Sequence, residues 1–331
     1  MPRRKSFHSP RRRALAGALA AVLLGGTAQA ADAPWPQRPV RIVVPYAPGG
    51  TADTLGRLIA QHLEAALKQP FVVDNRGGGG GVIGSQQVAK AAPDGYMLVV
   101  SGIGSHVIAP AENKAYDPLA DFTHVALLGG PPTVLVVHPS TPARDVRELI
   151  AYARQGKGGL SWGSPGQGTH GHLIGELFAR AAGIGQTHIS YKGAGPAVAD
   201  LLGGQIPAAF VTYTSANAQM QAGKLRALAV TSAKRLTEFP DVPTFAELGY
   251  PALTANTWFS LSGPAGLPAA VAGMLNAEVR RGLKTPAMQK ALALEGIETE
   301  DWDAAEVTRY VRAEIARWQP LARSLGEPRA R

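Results

Sequence analysis

The chain alternates two kinds of apolar spacing. Short β-branched runs predict strands at Val40–Val44, 71–73, 97–100 and Thr133–Val137. Between the first two, Leu55, Leu58, Ile59, Leu63 and Leu67 recur at helical spacing and predict a helix over 52–67. A second helix is expected at 82–91, and Pro93-Asp94-Gly95 marks a turn after it. The order β-α-β-α-β calls for parallel pairing through right-handed crossovers, because parallel neighbours need long connections.

A second series follows. Helices are expected at 146–154, 173–182, 196–202 and 215–222, alternating with strands at 160–162, 189–191, 208–211 and 227–230. After a Pro-containing stretch, 240–251, come a strand at 258–261 and amphipathic helices at 268–283, 285–294 and 304–321. No repeat of solenoid period is visible. The closing helices are too many for the second series alone. The chain is therefore expected to leave a first lobe, build a second and return, with 133–139 and 254–262 as the candidate crossings. The expected organisation is α/β: residues 31–132 plus 257–331 in lobe 1, and 133–256 in lobe 2. Ligands of open α/β sheets sit at the carboxyl ends of strands, so both lobes would turn those ends toward one cleft.

Charge changes the picture only at the start. The net charge of +9 invites a nucleic-acid reading, but Arg3, Arg4, Lys5, Arg11, Arg12 and Arg13 stand among the first thirty residues without an acid. Taking those six from 33 leaves 27 basic residues against 24 acidic ones, or +3. The basic segment runs into ALAGALAAVLLGG and then Ala28-Gln29-Ala30, the pattern of a secretory signal cleaved after Ala30. Residues 1–30 are thus expected to be a leader, and the mature protein to be exported. Arg11-Arg12-Arg13 leaves a twin-arginine route open. No later stretch reaches the roughly 18 apolar residues of a spanning helix. An exported chain cannot rely on ATP or NAD around it, and nucleic-acid binding loses both footprint and compartment. The sequence has no cysteine, which removes disulfides, thiolate nucleophiles and Cys-ligated metals.

Several chemistries fail on residue type. VRIVVPYAPGGTADTLGR (residues 40–57) reads strand, Gly-rich loop, helix start, but lacks the Lys-Ser/Thr ending of a P-loop. Thr51 or Asp53 would cap the helix. Two matches to G-x-G-x-x-G, at 79–84 and 166–171, are not followed by a strand ending in the acid that holds a ribose. Ser164 sits in Trp162-Gly163-Ser164-Pro165-Gly166, which lacks the first glycine of G-x-S-x-G, and Pro165 removes an oxyanion-hole N–H. His170, His172 and His106 are the bases on offer. No metal-ligand spacing such as H-E-x-x-H occurs.

What remains is four loops at strand ends: PYAPGGTAD (45–53), SGIGSH (101–106), GSPGQGTHGH (163–172) and YKGAGP (191–196). Each supplies amides, hydroxyls or both. Four or five such donors on a carboxylate, at about 1.5 kcal/mol each, sum to roughly 6–8 kcal/mol. That is the scale of a micromolar complex, about −8 kcal/mol. Binding without chemistry needs no more.

At these loops the chain closely resembles the Bug/TctC-type solute receptors of tripartite tricarboxylate transporters. The resemblance is carried by VRIVVPYAPGGTADTLGRLIA, VVDNRGGGGGVIGSQQVAKAAPDGYML, YDPLADFTHVALL, GSPGQGTHGHLIGELF, ISYKGAGPAVADLLGGQIPAAF, GKLRALAVTSAKR and VPTFAELGYP, in family order. It implies a two-lobed periplasmic binding protein fold (type II, Venus-flytrap) with two crossover connections. The ligand it implies is a small carboxylate, held by backbone amides and ordered waters instead of an arginine clamp. No cofactor or metal is implied. The partners implied are membrane transporter subunits, and the receptor is expected to be a monomer.

Carried over by position, the resemblance places Tyr46, Gly49, Gly50 and Thr51 on the ligand from one lobe, with Ser105 and His106 nearby. From the other lobe it places Ser164, Gly168, Thr169, Gly193 and Ala194. His172 falls on the family's helix-start histidine, with a structural role, and 77–81 looks like a flexible loop before a helix. Where the family commonly carries an aspartate facing a ligand ammonium, this chain has Val211, followed by Thr212, Tyr213 and Thr214 as a neutral wall. A buried ammonium without a counter-charge is costly, so a ligand lacking an α-amino group is expected. The expected function is an exported receptor that captures a small organic carboxylate for a transporter and performs no chemistry. A receptor that signals to a sensor kinase fits equally well. Citrate, a dicarboxylate, a nicotinate-like or an aromatic acid all remain open. The alternative is a secreted α/β serine hydrolase using Ser164.

Overall fold

The computed structural model describes residues 1–2, 35–156 and 158–326. All but the first two residues of the expected leader lie outside them. Met1–Gln37 is a unit separate from the body, Arg38–Arg331, which holds both sheets. Among the described residues no helix is long and apolar enough to cross a membrane.

The first sheet has the order β2-β1-β3-β10-β4, from β1 (Val40–Val44), β2 (Phe71–Asn75), β3 (Met97–Gly102), β4 (Phe122–Gly129) and β10 (Phe259–Pro264). The second has the order β7-β6-β8-β5-β9, from β5 (Thr133–Val137), β6 (Leu160–Ser164), β7 (Gln186–Ser190), β8 (Ala208–Thr212) and β9 (Arg226–Val230). The two orders are one topology used twice. In each, three strands pair in parallel and the fourth is reversed. The reversed strands, β5 and β10, are the ones that arrive from the other lobe. They start at the cleft, where the parallel strands end: Thr133 pairs with Thr212, and Phe259 with Gly102.

The crossings fall close to the expected places. The outward one is 130–132, just ahead of the expected 133–139, because Thr133–Val137 is already strand. It is bridged to the return segment at Pro132 and Asn256. β4 was not anticipated. Its continuous apolar run carries no alternation, and both its faces are covered.

Helices cover both faces. They are α1 (Thr51–Leu67), α2 (Val82–Ala89), α3 (Ala109–Glu112), α4 (Val146–Gln155), α5 (His170–Ala182), α6 (Ala194–Leu202), α7 (Tyr213–Gln221), α8 (Ala269–Leu283), α9 (Pro286–Leu294) and α10 (Ala304–Gly326). In the second lobe the period of two along β5 sorts the core. Leu135 and Val137 face Leu149 of α4 and Phe178 of α5, while Val134 and Val136 face Leu201 of α6 and Met220 of α7. α10 closes the first lobe through Val307, Val311 and Trp318, and Leu173 of α5 packs into the same cluster. The Trp258 and Trp318 indoles both donate to Glu314 Oε2, at 3.0 and 3.1 Å. Both polar indole edges are thereby satisfied in the core.

Candidate ligand-binding cleft

Three helices begin at the line where the sheets face each other: α1 after β1, α5 after β6 and α6 after β7. The first N–H groups of a helix have no intrahelical acceptor. Those of Thr51 and Ala52, His170 and Gly171, and Ala194 have none among the described residues either. These five residues line one cavity of about 50 Å³, together with Tyr46, Gly50, Ile103, Gly104, Pro165, Thr169, Thr212, Thr257 and Phe259. Larger grooves, of about 730 and 620 Å³, lie elsewhere, and no helix N-terminus opens into them.

The wall contains no charged side chain. Aligned amides at three helix starts give it positive potential all the same, the condition for holding an anion. Asp53 is close in sequence but turned away. Burial would raise its carboxyl, yet hydrogen bonds from Arg57, Asn75 and the Gly49 N–H, with the Arg57 charge, bring it below the usual value. Asp53 therefore braces the loop before α1. Gly50 stands at the cap position without a side-chain cap, so neither Thr51 nor Asp53 caps the helix. The Thr51 hydroxyl instead donates across the cleft to Thr212 Oγ1 at 2.7 Å, and Thr212 also bonds Ser215 at 2.8 Å.

Tyr46 donates its hydroxyl to Gly80 O at 3.2 Å, and burial pushes its pKa up to about 12, so it stays a neutral donor. Thr169 caps α5. It accepts from His172 N and donates to Gly166 O, which fixes the turn that brings Pro165 to the wall. His170 bonds Thr133 Oγ1 through Nδ1 at 2.8 Å, and burial, helped by the Arg317 charge, lowers it to about 3. It is a neutral ring at the meeting point of cavity and crossing.

Of the residues expected from sequence, the structure brings Tyr46, Gly50, Thr51, Thr169, Ala194 and Thr212 together on the cavity. Gly49, Gly168 and Gly193 stand at the rims. Ser105 and His106 lie behind Tyr46, fully buried and bonded to each other at 3.0 Å. Val211 is fully buried in the second lobe's core. Tyr213 and Thr214 do not join the wall: Tyr213 packs edge-on to Phe239, and Thr214 donates to Glu295 O. Sequence reasoning missed Ala52, Ile103, Gly104, Pro165, His170, Gly171, Thr257 and Phe259 as wall residues. All but Thr257 and Phe259 belong to loops already singled out. Those two arrive with the returning strand, which no local signal links to the site.

Ser164 has no exposed surface and is not on the cavity. Its hydroxyl bonds His188 Nε2 at 2.8 Å, a histidine outside the three considered, and accepts from Gly166 N. The imidazole of His188 packs at a tilt against Trp162 and His172, with ring centres 4.5 Å apart in each pair. The pair sets the turn after β6, with Ser164 fully buried and His188 half-buried, so the cavity offers the hydrolase alternative no Ser164 hydroxyl.

Known proteins share the sequence and fold of this chain. Residues 55–326 match the model of the tripartite tricarboxylate transporter family receptor, TctC. The chain is 36% identical to protein BugT of Bordetella pertussis over 295 residues, 88% of this chain and 90% of that protein. It is 38% identical to a protein encoded between tcbD and tcbE in Pseudomonas sp. strain P51, covering 94% and 93%. Among solved structures, the Rhodopseudomonas palustris protein Rpa4515 with adipate superposes at TM-score 0.84 and 37% identity, covering 88% and 99%. MatC of the same species with bound malate gives 0.83 and 33%, covering 87% and 100%. Periplasmic binding protein BugD gives 0.84 and 33%, covering 88% and 99%.

Proposed function

Because the chain belongs to the tripartite tricarboxylate transporter receptor family, we propose that it captures a small organic carboxylate in the interlobe cleft and presents it to a membrane transporter. The observation that carries this reading is the convergence of three helix N-termini on one small cavity without a charged side chain. A carboxylate satisfies the free amides and needs no counter-cation. Proteins that superpose on this chain hold adipate and malate, both carboxylates. The reading includes export to the periplasm, action as a monomer and release of the ligand unchanged.

The ligand lacks an α-amino group. An ammonium in this cavity would meet no carboxylate, and an unpaired buried charge is strongly disfavoured. Malate and aspartate differ at one substituent, hydroxyl against ammonium, as do 2-hydroxyglutarate and glutamate. In titration calorimetry the hydroxy acid of each pair is expected to bind at least about tenfold more tightly. Tighter binding of aspartate or glutamate would overturn the assignment. Native mass spectrometry of the purified protein reads any acid it retains.

A further inference from the structure

The five-glycine run at 77–81 packs on Tyr46 of the cavity wall, whose hydroxyl donates to Gly80 O. Its backbone lies against the opposite lobe. A Cβ on Gly77 would stand 2.7 Å from Lys192 O, and one on Gly80 only 2.1 Å from Gln167 O. The other rim mirrors it. A Cβ on Gly195 would stand 2.4 Å from Pro48 O, and one on Gly168 3.0 Å from Ala109 Cβ. Real Cβ atoms essentially never approach within 3.0 Å of another heavy atom. Along the same line Ala47 N donates to Lys192 O at 2.8 Å, and Gln167 Nε2 to Glu112 Oε2 at 3.3 Å.

Backbone conformation explains only part of this glycine content. Gly80 has φ +64°, a region that favours glycine, but Gly77 and Gly195 have ordinary φ. Gly195 lies inside α6, where alanine is the better helix former. At Gly195 what excludes a side chain is Pro48 O of the other lobe; at Gly77 it is Lys192 O of the other lobe, at 2.7 Å, together with Ala47 N of its own lobe at 2.9 Å.

We propose that these glycines form a closure seam: rims stripped of side chains, which let the two lobes meet backbone to backbone and shut the cavity from solvent. Tyr46, bonded to Gly80 O, ties the cavity wall to the seam, so the seam and the ligand contact move together. The proposal deepens the receptor reading and takes its purpose from it, while its geometry stands on the cross-lobe distances alone.

The chain has no cysteine, so Glu112→Cys with Gln167→Cys places a single thiol pair across the seam. A short bis-maleimide then captures the lobes whenever they close, in the full chain, with and without added malate or adipate. Gly195→Ala on one rim and Gly77→Ala on the other are each expected to slow capture at least about tenfold. Gly273→Ala in α8, where a Cβ meets nothing within 4 Å, is expected to leave it unchanged. The two rim variants lie in different lobes, and circular dichroism identifies any that fails to fold. Capture in a folded rim variant as fast as in the same double-cysteine protein with its glycines intact overturns the seam, even if the acids bind normally. Slowed capture in a protein that binds none of the acids upholds the seam and removes the receptor reading instead.

Discussion

His124 shows how single residues hold a neutral interior. Its Nε2 faces Pro118 O at 3.0 Å, and a carbonyl only accepts, so that nitrogen carries the proton. Nδ1 then accepts from Ser262, and Ser101 Oγ lies within hydrogen-bonding distance of the hydroxyls of Ser262 and Ser260 and of Ser260 O. The network crosses β3, β10 and β4. Burial lowers His124 and His172 from the ordinary 6.5 to about 4, and His170 and His188 to about 3. Unfolding returns each ring to its ordinary value. Between about pH 6.5 and 4 the unfolded chain therefore holds more protons, and stability rises with pH. The contribution is complete above 6.5 and is lost as pH falls toward the folded values. Urea midpoints are expected to drop steadily from pH 7 to pH 5, with a shallower slope in His124→Asn. Equal midpoints at the two pH values would refute this.

At the scale of elements, the hydrophobic pattern located nearly every strand and helix but began several helices late. α5 was expected from 173 and starts at His170; α6 from 196, starting at Ala194; α7 from 215, starting at Tyr213. The reason lies in the first turns of α5 and α6, which face the cleft instead of the core. Their Gly, Thr, His and Ala residues therefore carry no apolar period. The boundaries that periodicity missed are thus the ones nearest the cavity, and loop composition had to supply them. Thr257 and Phe259 had no such signal, because their place depends on a strand returning after a whole lobe.

Gly175 tests the packing of α5. A Cβ there would stand 2.3 Å from the Trp162 ring, which is 1% exposed and cannot withdraw. Helix propensity favours alanine by about 1 kcal/mol. Overpacking a rigid core is expected to win and leave Gly175→Ala less stable by about 1–3 kcal/mol in urea unfolding. A neutral or stabilising result would mean that the indole shifts freely.

At the scale of the molecule, one topology is used twice, and each lobe donates a reversed strand to the other. That exchange puts the starts of β5 and β10 beside the ends of the parallel strands, on one cleft. Two α/β series and a return were legible from the order of elements. The matching strand orders were not, since they depend on pairings between residues far apart in the chain, such as Ser101 with Ser260 and Thr133 with Thr212.

The most direct test is a crystal structure of the protein with the acid it retains or binds best. A carboxylate oxygen is expected within hydrogen-bonding distance of the main-chain nitrogens of Thr51 or Ala52 and of His170, Gly171 or Ala194, with no lysine or arginine side chain on it. A ligand without negative charge, one gripped by a cationic side chain, or one lying outside the space between the lobes would contradict the account.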